Sequence, residues 1–167
     1  AQGHHHSVSF TGGEPLLYHG FLSEVLPAVQ PRCRTYMETS GTQADFLAGV
    51  LDYTDIIAMD LKLPSTTKEP ARFEEHRAFY KLARTRKQTE LFIKLIFSEE
   101  TTGEELAAVR AIVSDRTTPI ILQPVTSLID KRVHVPPSAM IALQERLLES
   151  FEQVRVIPQS HKMLGVL

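Results

Sequence analysis

The stretch at residues 91–122 decides the fold class, and its sequence is LFIKLIFSEETTGEELAAVRAIVSDRTTPIIL. Its two apolar ends, residues 91–97 and 120–122, predict β-strands, and the spacing of apolar residues between them predicts a helix over 104–113. Thr102, followed three residues later by Glu105, forms the pattern of a capping box at the start of that helix. A strand, a crossover helix and a second strand make one βαβ unit of a parallel sheet.

The same alternation continues on both sides of this stretch. Further strands are predicted at 8–11, 34–37, 55–61 and 154–157, and further helices at 16–29, 44–51, 72–86 and 138–151. We therefore predict an α/β fold. About six βα units are too few for a closed eight-stranded barrel, so the pattern leaves an open partial barrel or a doubly wound sheet. The polar loop at 64–70 is a candidate for mobility.

Length and composition favour one domain over residues 1–167 and disfavour two classes of function. The chain has 167 residues, of which 43% are hydrophobic, enough to bury a core. The formal net charge of -2 provides no basic surface for nucleic acid. The apolar stretches fall far short of the roughly 20 residues that a membrane helix needs, so we expect no membrane span.

The cysteine and histidine content limits the sites that this chain can form. Cys33 is the one cysteine, and the sequence begins without a signal peptide, so we expect a reducing, cytoplasmic location. One thiol cannot complete a zinc or iron–sulfur site that needs about three or four thiolates. We interpret His4, His5 and His6 as affinity-tag or native surface residues, with a metal site as a third alternative.

Polar residues follow each predicted strand, at the carboxyl ends where parallel α/β folds bind ligands. They are Thr11-Gly12-Gly13-Glu14-Pro15, Glu38-Thr39-Ser40-Gly41-Thr42, Asp60 and Lys62, Ser98 and Glu99, Gln123-Pro124, and Gln159-Ser160-His161-Lys162. Convergence of such groups is expected of a site for a small polar ligand. Glycines let a ligand approach the backbone, and the carboxylate of Glu14 can receive a cationic amine.

These residues also have structural interpretations. The glycine pair can serve only a tight turn, with Glu14 favouring a helix N-terminus. The loop after the second strand can be an ordinary loop with a serine N-cap. Asp60 and Lys62 are two residues apart and point to the same side of a strand, where they can form a plain ion pair.

Four of these motifs, in order along the chain, resemble those of radical S-adenosylmethionine enzymes. They are Thr11-Gly12-Gly13-Glu14-Pro15, Glu38-Thr39-Ser40-Gly41-Thr42, Asp55-Ile56-Ile57-Ala58-Met59-Asp60-Leu61-Lys62, and Ile157-Pro158-Gln159-Ser160-His161-Lys162. Within that superfamily, the first, second and last motifs together are most similar to the 7-carboxy-7-deazaguanine synthase family. The resemblance covers nearly the whole chain.

The resemblance implies a partial (βα)6 barrel of the TIM type that holds S-adenosylmethionine, a [4Fe-4S] cluster and Mg2+. It implies a lyase of queuosine biosynthesis that converts 6-carboxy-5,6,7,8-tetrahydropterin to 7-carboxy-7-deazaguanine. The implied chemistry is hydrogen abstraction by a 5'-deoxyadenosyl radical, followed by ring contraction. It also implies an electron donor such as flavodoxin, and it is compatible with a homodimer.

The resemblance assigns cofactor contacts in this sequence. Residues that would hold the methionine amino group are Gly12, Gly13 and Glu14. Contacts near the cofactor's carboxylate, ribose or adenine would be Ser40, Lys62 and Gln123. Asp60 would orient Lys62 or help hold a cation.

The resemblance also assigns a substrate pocket. Glu38 would face the pterin, and Gln159 and His161 would close the pocket near the C-terminus. For His161, the alternative is a surface histidine.

The sequence departs from the family in one respect. Family members carry a Cys-x3-Cys-x2-Cys loop upstream of the Gly-Gly-Glu-Pro motif, and no such loop is present here. Cys33 begins the strand that leads to Glu38, at the wrong end of the sheet for a cluster ligand. We therefore expect a chain truncated at its N-terminus, without the first βα unit and the cluster loop, which binds no cluster and is inactive alone.

Two other functions remain open at this point. A glycyl-radical-enzyme activating enzyme shares the Gly-Gly-Glu and Asp-x-Lys features but acts on a protein partner, and the terminal Gln159-Ser160-His161-Lys162 argues against it. The second alternative is a non-catalytic α/β domain that lost its cluster and retains a ligand pocket.

Overall fold

The computed structural model describes residues 5–127 and 132–158 and confirms the predicted alternation of strands and helices. The strands are β1 (Ser7–Phe10), β2 (Arg34–Thr39), β3 (Ile56–Lys62), β4 (Glu90–Phe97), β5 (Ile120–Pro124) and β6 (Val154–Val156). The helices are α1 (His19–Val29), α2 (Ala44–Ala48), α3 (Pro64–Thr67), α4 (Phe73–Ala83), α5 (Gly103–Ile112) and α6 (Pro137–Leu148), with 3-10 turns at Pro15–Tyr18 and Leu51–Tyr53.

The strands form one sheet in the order β1-β2-β3-β4-β5-β6, which is also their order along the chain. The pairs β1–β2, β2–β3, β4–β5 and β5–β6 are parallel. A doubly wound sheet reverses its strand order part-way across, at the crevice where it binds ligands. The sequential order of the described strands therefore removes the doubly wound alternative.

The chain divides into two compact units, of which the first holds the residues up to Asp60 together with Arg72–Phe92. In this unit Phe10 of β1 lies beside Met37 of β2, and Thr39 of β2 lies beside Met59 of β3. β3 is buried over residues 56–59, on both of its faces, as expected for a parallel strand covered on both sides.

Two helices of the first unit differ from their predicted bounds. The helix predicted at 16–29 begins with the 3-10 turn Pro15–Tyr18, and α1 follows it directly. The helix predicted at 44–51 ends at Ala48, before Gly49, and the 3-10 turn Leu51–Tyr53 comes after it. Both differences follow from local chain chemistry, since proline favours a helix start and glycine favours a helix end.

The second unit holds Leu61–Ala71 together with the residues from Ile93 onward. α5 begins with the predicted capping box, in which the Thr102 hydroxyl accepts from the Glu105 N–H at 3.2 Å. The Glu105 carboxylate accepts from the Thr102 N–H at 2.8 Å. α6 begins at Pro137, a position where the missing N–H of proline removes no helical hydrogen bond.

The polar loop predicted at 64–70 begins as the short helix α3. Pro64 occupies its first turn, where its fixed φ angle suits a helix. Lys68 ends the helix in a left-handed conformation with φ of 62°. Of the helices in the described part of the chain, none has both the length and the apolar character to span a bilayer.

Candidate functional site

The loop after β1 carries the glycine pair Gly12 and Gly13. Their φ angles are 92° and 51°, in the left-handed region that residues with a side chain rarely adopt. A Cβ atom at either position would have no neighbour within 4 Å, so the backbone of the pair faces open space. A ligand can therefore approach the peptide groups of this loop directly.

A groove of about 310 Å3 lies beside the glycine pair. The residues that line it are mainly apolar: Phe10, Thr11, Gly12, Pro15, Tyr18, Phe21 and Leu22. Tyr18 and Phe21 are 69% and 62% exposed. Apolar walls beside accessible polar groups are typical of small-molecule sites. Exposed apolar patches that include aromatic side chains often mark a surface that binds a ligand or a protein.

Glu14 connects the glycine loop to the loop that follows β2. One carboxylate oxygen, Oε2, accepts from the backbone N–H of Ser40 at 2.6 Å. The other, Oε1, accepts from the Thr39 hydroxyl at 2.7 Å and from the Leu16 N–H at 3.1 Å. The Leu16 contact caps the turn Pro15–Tyr18. Glu14 therefore does mark the start of a helical segment, which was the structural alternative to a ligand contact.

The Glu14 contacts bring together two motifs that are 26 residues apart in sequence. Because β1 and β2 are parallel neighbours, their carboxyl ends lie side by side, and the two loops meet there. A carboxylate offers about four acceptor positions, so the hydrogen bonds to Leu16, Thr39 and Ser40 leave room for a ligand's ammonium group. The helix-start role of Glu14 is thus compatible with the predicted cofactor contact.

The loop from Thr39 to Thr42 is fixed by several further contacts. The hydroxyls of Ser40 and Thr42 lie 2.9 Å apart, and the Gly41 N–H donates to the Thr39 hydroxyl at 3.3 Å. Gly41 has a φ angle of 67°, and a Cβ atom there would lie 2.5 Å from Cγ of Met59. Glycine is therefore required at this position both by its conformation and by the close approach of Met59.

His76 is a residue of this region that sequence reasoning missed. It lies on α4, is 3% exposed, and its Nδ1 atom is 3.0 Å from the carbonyl oxygen of Gly41. Burial lowers the pKa of His76, which the contact with the Gly41 carbonyl offsets only in part. No motif marks it, because its role depends on a contact between residues 35 positions apart.

The other predicted contacts lie on strands of the two units. Glu38 on β2 and Asp60 on β3 are half-buried members of the first unit. In the second unit, Lys62 is exposed at the end of β3 and Gln123 is half-buried on β5. Their convergence with Glu14 stays a prediction. The predicted substrate contacts Gln159 and His161 lie outside the described residues.

The residues of this chain fit S-adenosylmethionine but do not fit an iron–sulfur cluster. An accessible glycine backbone beside a carboxylate and an apolar groove suits a ligand with a zwitterionic end and an apolar part. By contrast, Cys33 is the only cysteine of the sequence, and its thiol lies just before β2, 3.7 Å from the carbonyl oxygen of His5. In the described part of the chain, no group of three or more His, Cys, Asp or Glu residues is arranged to hold a metal ion.

The chain is similar over almost its whole length to curated proteins named 7-carboxy-7-deazaguanine synthase. The protein of that name from Geobacter sulfurreducens is 39% identical over 99% of this chain and 65% of its own length. The protein from Archaeoglobus fulgidus is 30% identical over 96% of this chain and 67% of its own length. The protein from Methanocaldococcus jannaschii is 30% identical over 96% of this chain and 68% of its own length.

This chain thus spans about two thirds of the length of the curated relatives it matches. No family model matches it. Among solved structures, a GH128 endo-beta-1,3-glucanase from Amycolatopsis mediterranei matches with a TM-score of 0.35 and 11% sequence identity. The match covers 96% of this chain and 91% of the glucanase chain. That likeness is too weak to support any argument.

Proposed function

This chain belongs to the 7-carboxy-7-deazaguanine synthase family, and from that premise we propose that the full-length protein converts 6-carboxy-5,6,7,8-tetrahydropterin to 7-carboxy-7-deazaguanine. The protein would act as a lyase that uses S-adenosylmethionine. The observation that carries the proposal is the 30–39% identity to proteins of that name over at least 96% of this chain. The contact between Glu14 and Ser40 supports it, because it joins two of the family's motifs at one point.

S-adenosylmethionine supplies the hydrogen-abstracting chemistry of such a reaction when it is bound. The peptide groups of Gly12 and Gly13 would bind its methionine amino group together with the remaining acceptor position on Glu14. The apolar groove beside them would keep water from the uncharged part of the ligand. Glu14 would serve binding and loop position at once, since the same carboxylate holds the N–H of Ser40.

The remaining assigned residues would complete the two binding sites. We propose that Ser40, Lys62 and Gln123 contact the cofactor and that Asp60 orients Lys62 or a cation. Glu38 would face the pterin with Gln159 and His161. Because one thiol does not complete a ligand set of about four thiolates, we assign no step of the reaction to an iron–sulfur group bound by this chain. No step is assigned to Mg2+ either.

The proposed fold is the partial (βα)6 barrel of radical S-adenosylmethionine enzymes. The sequential strand order supports it, because a barrel wall grows by adding each strand beside the preceding one. A reduced flavodoxin as electron donor, a homodimer and a cytoplasmic location complete the proposal.

The proposal is tested by assaying the full-length protein after anaerobic reconstitution of its cluster. Incubation with the pterin, S-adenosylmethionine and a reductant is expected to yield the deazaguanine product, measured by chromatography and mass spectrometry. A control without S-adenosylmethionine is expected to yield none. Activation of a glycyl radical enzyme without any conversion of the pterin would overturn the proposal in favour of the activating-enzyme alternative.

A further inference from the structure

His76 is a polar side chain in a setting where polar side chains need a partner. It lies on the buried side of α4 with Phe79, Tyr80 and Ala83, and only 3% of it is exposed. A buried polar group without a hydrogen bond destabilises a protein, so a buried histidine is expected to be held in a defined contact. That contact is the carbonyl oxygen of Gly41, 3.0 Å from Nδ1.

The chemistry of this contact determines which ring nitrogen of His76 carries a hydrogen. A carbonyl oxygen can only accept a hydrogen bond, so Nδ1 of His76 must carry the hydrogen that it donates. Burial lowers the pKa of His76 from its ordinary value, which favours the neutral ring near pH 7. In the neutral ring with the hydrogen on Nδ1, Nε2 carries no hydrogen.

The His76 contact lies one residue from the Glu14 contact. Glu14 holds the N–H of Ser40, and His76 holds the C=O of Gly41. These two contacts hold the peptide groups on either side of the one that joins Ser40 to Gly41, and the N–H of that central peptide donates to the Thr39 hydroxyl at 3.3 Å. Glu14, just before the turn Pro15–Tyr18, and His76 on α4 therefore hold consecutive residues of the same loop.

We propose that His76 is a positioning residue, which acts through the Gly41 carbonyl to hold Ser40 in the geometry that binds the cofactor. The proposal rests on the proposed function for its ligand, S-adenosylmethionine. This proposal adds a residue of α4 to the site, and α4 lies outside all four sequence motifs. His76 itself touches the loop and is not a catalytic residue.

The test compares two substitutions of His76 in the full-length protein. His76→Leu removes the donor, while His76→Asn keeps an N–H group close to the position of Nδ1. A matched control is Thr54→Val, which removes another buried hydrogen bond of the first unit, from the Thr54 hydroxyl to the Val50 carbonyl at 2.9 Å. Hydrogen–deuterium exchange of peptides that span residues 38–43 reports the loop, and calorimetric titration reports S-adenosylmethionine binding.

His76→Leu is expected to speed exchange of the 38–43 peptides about fivefold or more, the effect of losing one buried hydrogen bond. It is also expected to weaken S-adenosylmethionine binding by a similar factor, with His76→Asn restoring most of both and Thr54→Val changing neither. Unchanged exchange in His76→Leu, or equal effects in Thr54→Val, would overturn the proposal. If the wild-type protein binds no S-adenosylmethionine, the proposed function fails, and the exchange data still decide whether His76 fixes the loop.

Discussion

At the scale of single residues, Glu14 links the two motif loops. Its carboxylate accepts hydrogen bonds from Leu16, Thr39 and Ser40, all within the first unit. Sequence reasoning alone predicts that replacing Glu14 changes ligand affinity and leaves stability nearly unchanged. The structure alters the second half of that prediction, because the same carboxylate also holds the protein's own backbone.

Glu14→Gln is therefore expected to lower both ligand affinity and stability. Glutamine has one acceptor oxygen and carries an NH2 group, so one of the present donors loses its partner. We expect a loss of about 0.5–1.5 kcal/mol in the free energy of unfolding, the usual net contribution of one hydrogen bond, because these contacts are only half-buried. We expect a loss of about 1.5–3 kcal/mol in S-adenosylmethionine binding, the range for a hydrogen bond to a charged group.

Chemical denaturation and calorimetric titration of the full-length protein measure these two quantities. Glu24→Gln is the matched control, since Glu24 is exposed on α1, and it is expected to change neither. A variant at Glu14 with lower stability but unchanged affinity would leave this residue with a structural role alone.

Among the elements, α5 depends on a buried carboxylate at its start. Glu105 is 8% exposed and accepts from the N–H of Thr102 and from the N–H of Ser65, each at 2.8 Å. Burial by itself raises the pKa of Glu105, but the hydrogen bonds from Thr102 and Ser65 outweigh it, so the pKa is lowered from its ordinary 4.5. The charged form is thus the form that the fold stabilises.

This lowered pKa predicts an acid-dependent loss of stability. Because the folded pKa lies below the unfolded value, the contribution of Glu105 is fully present above about pH 4.5 and is lost as the pH falls through the folded pKa. Glu105→Gln is expected to be less stable than wild type at pH 7 and to lose less stability on acidification. Urea denaturation at a series of pH values from 7 to about 3 measures both effects.

The control for Glu105 lies beside it in the same helical turn. Glu104 is exposed, so Glu104→Gln is expected to keep the wild-type pH dependence. If Glu105→Gln and wild type lose the same stability between pH 5 and pH 3, about the range of carboxyl titration, the hydrogen bonds to Thr102 and Ser65 do not favour the charged form.

The elements of the fold were predictable because their signals are local. Apolar runs located the six strands of the described residues, and the Thr102–Glu105 pattern located the start of α5. The break after Ala48 and the helix α3 were missed, because element ends and helices of four or five residues offer too little periodicity to be recognised. The strand order could not be read from the sequence, since periodicity does not distinguish a barrel wall from a doubly wound sheet.

The candidate site was predictable only in part. The motifs placed Glu14 and Ser40 at strand ends, and the parallel pairing of β1 with β2 brings them together. Nothing in the sequence around His76 indicates its contact with Gly41, because that contact depends on how α4 packs. Lys62 and Gln123 come from other strands, and their part in the site remains a prediction of the family resemblance.

At the scale of the whole molecule, the thiol content limits which cofactors the chain can hold. The 167 residues contain one cysteine, whereas a stable iron–sulfur cluster is held by about four thiolates. Cys33 is half-buried before β2, while the Gly12–Gly13 loop and Ser40 follow the carboxyl ends of β1 and β2. A cluster held by Cys33 would therefore lie at the opposite end of the strands from the proposed cofactor contacts.

We predict that the 167-residue chain takes up no stoichiometric cluster when iron and sulfide are supplied anaerobically. Iron and sulfide analysis, together with the visible absorption spectrum, measures the uptake, and Cys33→Ala is expected to give the same values as the unaltered chain. The full-length protein, reconstituted in parallel, is the positive control for the procedure. A visible band with stoichiometric iron in the chain, lost in Cys33→Ala, would show that Cys33 is a ligand and would move the proposed cofactor site to the other end of the sheet.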